Sequence, residues 1–213
     1  DFRALLLTFV VQALGVGTLL AGVAYVADDL LDRPGASTIL FAAFVAPALL
    51  VTPWWERYAR TRTKRSGYTW STLAMVAGML VLLAALPDAP VVGYVGAALV
   101  GVGYAGAQVF PLAMLPDVAA HDAETSGENR IGLFTGVWTA GETLGLALGP
   151  AVFALVLALG GYVSSTADES VAQSDTALTA IRLGFALVPA ALVALSLLAL
   201  RRYSLDEVTS HDR

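Results

Sequence analysis

The sequence contains no cysteine, which excludes a disulfide framework, a thiol nucleophile and any cysteine-ligated metal. Its two histidines, His121 and His211, both sit in polar segments, so a histidine metal cluster is not expected and no cofactor is implied. Charge is scarce: 14% of the 213 residues are Asp, Glu, Lys or Arg, while 57% are hydrophobic. A soluble domain carries about 25% charged and about 45–50% apolar residues. Both departures point to a membrane, as does the mean hydropathy of +0.73. Twelve basic residues face seventeen acidic ones, a net charge of −5, which argues against nucleic acid as a partner. No nucleophile–base pair or metal cluster is visible in the pattern, so an enzyme is not expected.

What is abundant is long apolar runs. A helix needs about 20 apolar residues to cross a hydrocarbon core of roughly 30 Å. Six segments qualify, at approximately 4–27, 36–53, 69–86, 91–116, 131–160 and 176–200. The sequence predicts an all-α membrane protein, with a six-helix bundle over 1–203 and a tail over 204–213. The first run, "LLLTFVVQALGVGTLLAGVAYV", is too long for the core of a signal peptide. It reads as a true span, and with Asp1 in place of Met the chain is expected to be part of a longer protein. Pro47, Pro53, Pro111 and Pro189 fall inside spans. Neighbouring helices can take up the carbonyls they free, so kinks are expected there.

Orientation follows from the basic residues. Six spans place both termini and the loops 54–68 and 117–130 on one side. That side holds Arg3, Arg57, Arg60, Arg62, Lys64, Arg65, Arg130, Arg201, Arg202 and Arg213, ten of the twelve. The other side holds Arg33 and, just inside the sixth span, Arg182. Both termini are therefore expected in the cytoplasm, in a cell inner or plasma membrane. Asp28, Asp29 and Asp32 read as an exposed outer face.

One segment carries a family pattern. "PLAMLPDVAAHDAETSGENRIGLFTGVW", residues 111–138, resembles the loop and flanking helices 10 and 11 of the glycoside–pentoside–hexuronide:cation symporters. These are the melibiose-permease branch of the major facilitator superfamily, which includes sodium-coupled lysophospholipid carriers. Pro111, Ala113, Met114, Leu115, Asp117, Val118, Asp122, Gly127, Arg130, Gly132, Leu133, Phe134, Gly136 and Trp138 fit the pattern. The register continues through "LGLALG", "GY" at 161–162 and residues 177–192, as helices 7 to 12 of a twelve-helix carrier. Departures are Ala120, His121 and Ile131, where the family has Asp, Tyr and Glu. Arg60 replaces an aspartate of the basic loop, and Glu142-Thr143 replaces a Gln-Lys pair.

The resemblance implies the C-terminal half of a secondary active transporter, carrying a sugar, glycoside or related amphiphile by alternating access with Na+ or H+ coupling. Substrate and ion would bind at the midplane between this bundle and an N-terminal six-helix half, or a second copy. It also implies a cytoplasmic gating network of Asp117, Asp122 and Arg130. Two alternatives are a sodium-coupled lysolipid-type carrier and a membrane binding or assembly module that does not transport.

The most informative residue is Glu142, in "GVWTAGETLGLALGP". On a helix opening near Ile131 it lies about 16 Å in, close to mid-depth. Within about 60° of it on the helical wheel lie Thr135, Trp138, Thr139, Gly145, Leu146 and Gly149. Opposite lie Leu133, Val137, Ala140, Leu144, Leu148, Ala151 and Leu155, which suit lipid. A carboxylate at the bilayer centre costs about 2.5–3.5 kcal/mol on insertion scales, so it persists where it is paired, protonated or functional. Glu142 is expected to face a cavity and handle substrate, cation or proton, or else to fix packing through an arginine such as Arg182. Trp138, Thr135, Thr139, Gln108, Tyr104 and Arg182 are the other candidate substrate- or ion-binding residues. For Tyr104 and Gln108 the alternative is interhelical hydrogen bonding, and for Arg182 a snorkel to the outer surface. Gly141, Gly145 and Gly149, four apart, suit close helix packing.

Overall fold

A computed structural model describes residues 1–33, 35–164 and 172–205. The expected tail, with His211 and Arg213, lies outside the described residues from 206 onward. Six helices are long and apolar enough to cross a membrane: α1 Phe2–Leu31, α2 Ala36–Thr61, α3 Lys64–Ala85, α4 Pro90–Ser126, α5 Ile131–Leu159 and α6 Asp175–Leu200. Four of them outrun the apolar windows of the sequence. Thus α2 continues from 53 to Thr61 and α4 from 116 to Ser126. The extra turns are charged and polar, but a helix satisfies its own backbone in water as well as in lipid, so hydropathy marks the membrane and not the helix end.

Proline does not break these helices. α2 runs through Pro47 and Pro53, α4 through Pro111 and Pro116, and α5 through Pro150. Ahead of Pro189, the turn Leu183–Leu187 widens to a π-helix, the local adjustment expected where a residue cannot donate to the preceding turn. The ends are set by local chemistry. Pro90 opens α4 at its first turn, where its missing N–H costs nothing. Gly127, at φ 73°, closes α4 in the left-handed conformation and donates its N–H to the Ala123 carbonyl at 2.9 Å, a glycine C-terminal stop. Ser174 caps α6 by accepting from the Ala177 N–H at 3.2 Å.

The helices pack in the order α5, α1, α6, α3, α4, α2. α1 lies between α5 and α6, and α4 between α3 and α2, so the two outermost helices are α5 and α2. Their burial shows it: α2 buries only Ala36, Leu40 and Trp55, and α5 only Trp138, Gly145, Gly149, Phe153 and Leu157. The α1–α5 seam depends on glycine. A Cβ on Gly145 would meet the Val10 carbonyl at 2.7 Å, and one on Gly149 would overlap the Gly17 backbone. The leucines opposite, Leu133, Leu144, Leu148 and Leu155, are exposed, as the helical wheel requires.

A buried polar cluster clamps α1, α3 and α6 together. The Gln12 amide donates to Thr72 Oγ1 at 2.9 Å and Ser196 Oγ at 3.0 Å, while Tyr68 Oη donates to Gln12 Oε1 at 2.9 Å. Thr72 and Ser196 pass their own protons to helix carbonyls. Every donor has an acceptor, the condition for a buried network to fix a packing arrangement.

At one end of the bundle the two chain ends meet: the Ser204 N–H donates to Asp1 Oδ1 at 2.7 Å. Arg65, at the start of α3, reaches the Arg201 carbonyl at 3.1 Å on the same face. At the opposite end, Tyr162 donates to Asp29 Oδ2 at 3.1 Å, tying the segment after α5 to the end of α1. Burial, then the hydrogen bond and charge of Asp29, push the Tyr162 phenol up to about 12, so it remains a donor across the physiological range. Asp28 and Asp32 are exposed.

Candidate functional site

The structure gathers three of the sequence-predicted residues at one place. Glu142 of α5 and Tyr104 and Gln108 of α4 line a crevice with Phe9, Gln12, Ala13 and Val16 of α1. Met75, Ala107 and Leu146 complete it. Gln108 is within side-chain hydrogen-bonding reach of Tyr104, and the Glu142 carboxylate is close enough to act on Tyr104 electrostatically. α4 presents Tyr104 and Gln108 together because they are four residues apart on one helical face. Glu142 itself is half-buried. Its carboxylate makes no hydrogen bond or ion pair with the described residues, and Arg182 does not pair with it.

Arg182 lies elsewhere. Its guanidinium donates to the Leu83 carbonyl at 3.1 Å, in the last turn of α3. It neither reaches the crevice nor snorkels free: it satisfies a carbonyl that the helix end leaves open and complements the negative end of the α3 dipole.

Trp138 is 2% exposed and stacks on Phe9, with ring centroids 4.3 Å apart and planes at 23°. One turn before Glu142, it backs the crevice wall through Phe9 without lining the opening. Its indole N–H is buried without a partner. Thr135 and Thr139, expected on the inward face, are exposed. The α1 seam on α5 runs through Trp138, Gly145, Gly149 and Phe153, which leaves both threonines just off the contact. Each hydroxyl bonds the carbonyl four residues back, to Ile131 and Thr135 respectively. Thr139 lines an open concavity with Gly136, Ala140, Thr143, Leu144 and Ala147.

Asp117, Asp122 and Arg130 each take a charged partner at the basic end of the bundle. Arg130 makes a bidentate contact with Asp122, at 2.8 Å from Nε and 2.6 Å from Nη2, and that hydrogen bond holds the Arg130 pKa above its ordinary value. Asp117 pairs with Lys64 at 2.5 Å, and the same ammonium donates to the Ala113 carbonyl at 2.9 Å. Both pairs lie inside this bundle. They join α3, α4 and the start of α5 at the basic end of the bundle.

Sequence reasoning missed Gln12. A glutamine in a first span stands out as polar, but nothing in the sequence shows that Tyr68, Thr72 and Ser196, from two distant spans, converge on it. Gln12 is both the hub of the buried cluster and a wall of the crevice.

Residues 1–207 match the family described as MFS/sugar transport protein. The chain is also 30% identical over 186 residues to the isoprimeverose transporter of Lactiplantibacillus pentosus, a stretch covering 83% of this chain and 36% of that protein. The chain thus spans little more than a third of that relative's length.

Proposed function

Because the chain belongs to the MFS/sugar transport family, a family of membrane transport proteins and not of enzymes, we propose that it forms one six-helix half of a coupled sugar carrier. The observation that carries this reading is the convergence of Glu142, Tyr104 and Gln108 on one crevice. An acid, a phenol and an amide offer the mixed donors and acceptors that sugar hydroxyls require. A carboxylate in that position inside a membrane bundle marks a substrate or ion path. The proton is the favoured coupling ion. Glu142 is the one acid that lines the crevice, and one carboxylate suffices to carry a proton, whereas sodium prefers a site with more negative charge. The weakly buried faces of α2 and α5 are then covered by a second six-helix bundle, which closes the crevice from the other side and rocks against this one. The basic end faces the cytoplasm by the positive-inside rule.

The test is accumulation of labelled isoprimeverose, xylose, melibiose and lactose by cells producing the full-length carrier, with and without an imposed pH gradient. Gradient-driven accumulation of at least one sugar is expected. If none accumulates under either condition, the reading fails.

The same reading gives Asp117 and Asp122 a gating role at the cytoplasmic mouth. Asp117→Asn removes the charge partner of Lys64 and leaves it only the Ala113 carbonyl on α4, and it is expected to shift the carrier toward one access state. The 213 residues contain no cysteine, so a thiol introduced at Ala107 reports on the crevice. Its labelling rate from the cytoplasmic side should change several-fold in Asp117→Asn. An unchanged rate assigns the pair to structure alone.

A further inference from the structure

On the outer side of the bundle, away from the crevice, α3 starts at the basic end and α6 finishes there. The two run antiparallel and in contact, and the Arg65 guanidinium on the Arg201 carbonyl pins the end of one to the start of the other. Three exposed arginines stand at that junction: Arg62 just ahead of α3, and Arg201 and Arg202 in the turn after α6. Neither Arg201 nor Arg202 pairs with an acid among the described residues. The carboxylate at the same end, Asp1, accepts from the N–H and the hydroxyl of Ser204.

Behind the arginines both helices present an apolar face outward. On α3, Trp70 is 61% exposed, and Leu73 and Leu80 follow it on the same face. On α6 the exposed residues are Leu198, Leu195 and Leu187. The depths agree on the two helices. Trp70 and Leu73 lie about 9 and 14 Å from the start of α3, and Leu198 and Leu195 about 5 and 9 Å from Arg201, at 1.5 Å per residue. Guanidinium groups come first, then an indole at the level where interfacial aromatic rings settle, then leucine. A phospholipid has the same profile: phosphate, glycerol and ester region, acyl chain.

We propose that the α3–α6 junction is a binding site for one anionic phospholipid. Its phosphate sits among Arg62, Arg201 and Arg202, its glycerol region against Trp70, and an acyl chain lies along Leu73 and Leu195. Guanidinium groups bind phosphate through paired hydrogen bonds, and basic residues at a membrane surface select anionic headgroups. A choline headgroup brings a cation to a place that already holds three, so a zwitterionic lipid fits less well. The site does not depend on what the crevice carries.

The experiment titrates the purified full-length carrier with phosphatidylglycerol and phosphatidylcholine bearing brominated acyl chains, and reads quenching of tryptophan fluorescence. Phosphatidylglycerol is expected to bind about tenfold or more tightly than phosphatidylcholine, and Trp70→Phe should remove part of the quenching. Arg201→Gln with Arg202→Gln, two exposed side chains, should cut the preference to about twofold or less. Arg57→Gln with Arg60→Gln removes the same charge from exposed positions on α2, beyond α4, and should leave the preference unchanged. Equal affinity for the two lipids, equal loss in both double variants, or quenching untouched by Trp70→Phe overturns the site. Displacement of phosphatidylglycerol by millimolar inorganic phosphate, but not by chloride at the same ionic strength, makes it a site for a free anion and overturns the lipid. Each of these results leaves the sugar-carrier reading standing.

Discussion

Replacing Glu142 by glutamine is expected to leave the bundle folded and to remove the pH dependence of sugar uptake. Substrate affinity should fall by about tenfold to a hundredfold, the value of one hydrogen bond to a charged group at about 1.5–3 kcal/mol. Glutamine keeps the length of the side chain and a hydrogen-bonding end group but cannot exchange a proton. Folding should survive because the carboxylate anchors nothing: Arg182 bonds the Leu83 carbonyl instead, and the α1–α5 seam beside Glu142 is built from Gly145, Gly149 and Phe153. Uptake measured across pH in cells producing Glu142→Gln separates the roles. Lost affinity with retained pH dependence makes Glu142 a sugar ligand and moves the proton site elsewhere. Parental uptake at every pH returns the residue to packing.

The contrast between Glu142 and Arg182 shows how far the sequence can be read. Depth and facing of Glu142 follow from one helix alone, since periodicity assigns the face and rise per residue the depth. The exposed stripe of Leu133, Leu144, Leu148 and Leu155 follows the same way. Arg182 needed a second helix to be understood, because its partner is a backbone carbonyl almost a hundred residues away, and carbonyls leave no trace in sequence. Gln12 is the stronger case. Three helices meet at its amide, and which spans are neighbours is a property of packing order. Thr135 and Thr139 fall between these cases. The wheel places them within about 60° of Glu142, but both are exposed. Thr139 lies on the side of Glu142 away from Gly145. Thr135 shares the angle of buried Phe153 yet sits in the first turns of α5, so the wheel alone does not tell which turns a neighbour covers. The Asp122–Arg130 pair was within reach of sequence reasoning because its partners are eight residues apart across one turn of chain. Lys64 was named only as part of a basic loop, and its selection over the neighbouring arginines depends on where α3 begins.

Gly149→Val should be among the more damaging single changes in the bundle. Gly149 sits where α5 crosses α1, and an added Cβ would overlap the Gly17 backbone and lie against the Thr18 N–H. Flexible side chains can turn away from such a clash, but here the obstacle is main chain, so one helix must shift. On the other side of the same contact, a Cβ at Gly17 would meet the Leu146 carbonyl at 2.6 Å, which leaves no slack to absorb the move. Overpacking a tight site costs about 1–3 kcal/mol where neighbours can adjust, and this site is expected to reach or exceed the upper end. The consequence extends to function because α5 is held chiefly by α1. Pushing the two apart withdraws Glu142 from Tyr104 and opens the crevice. Gly136→Ala is the control: no atom lies within 4 Å of its added methyl, and alanine is the better helix former by about 1 kcal/mol. Thermal melts of the two variants in detergent should therefore diverge, with Gly149→Val melting well below the parent and Gly136→Ala at or slightly above it. A Gly149→Val protein that melts with the parent and still binds sugar would mean that the α1–α5 crossing is looser than this packing, and that Glu142 is positioned by something other than the glycine seam.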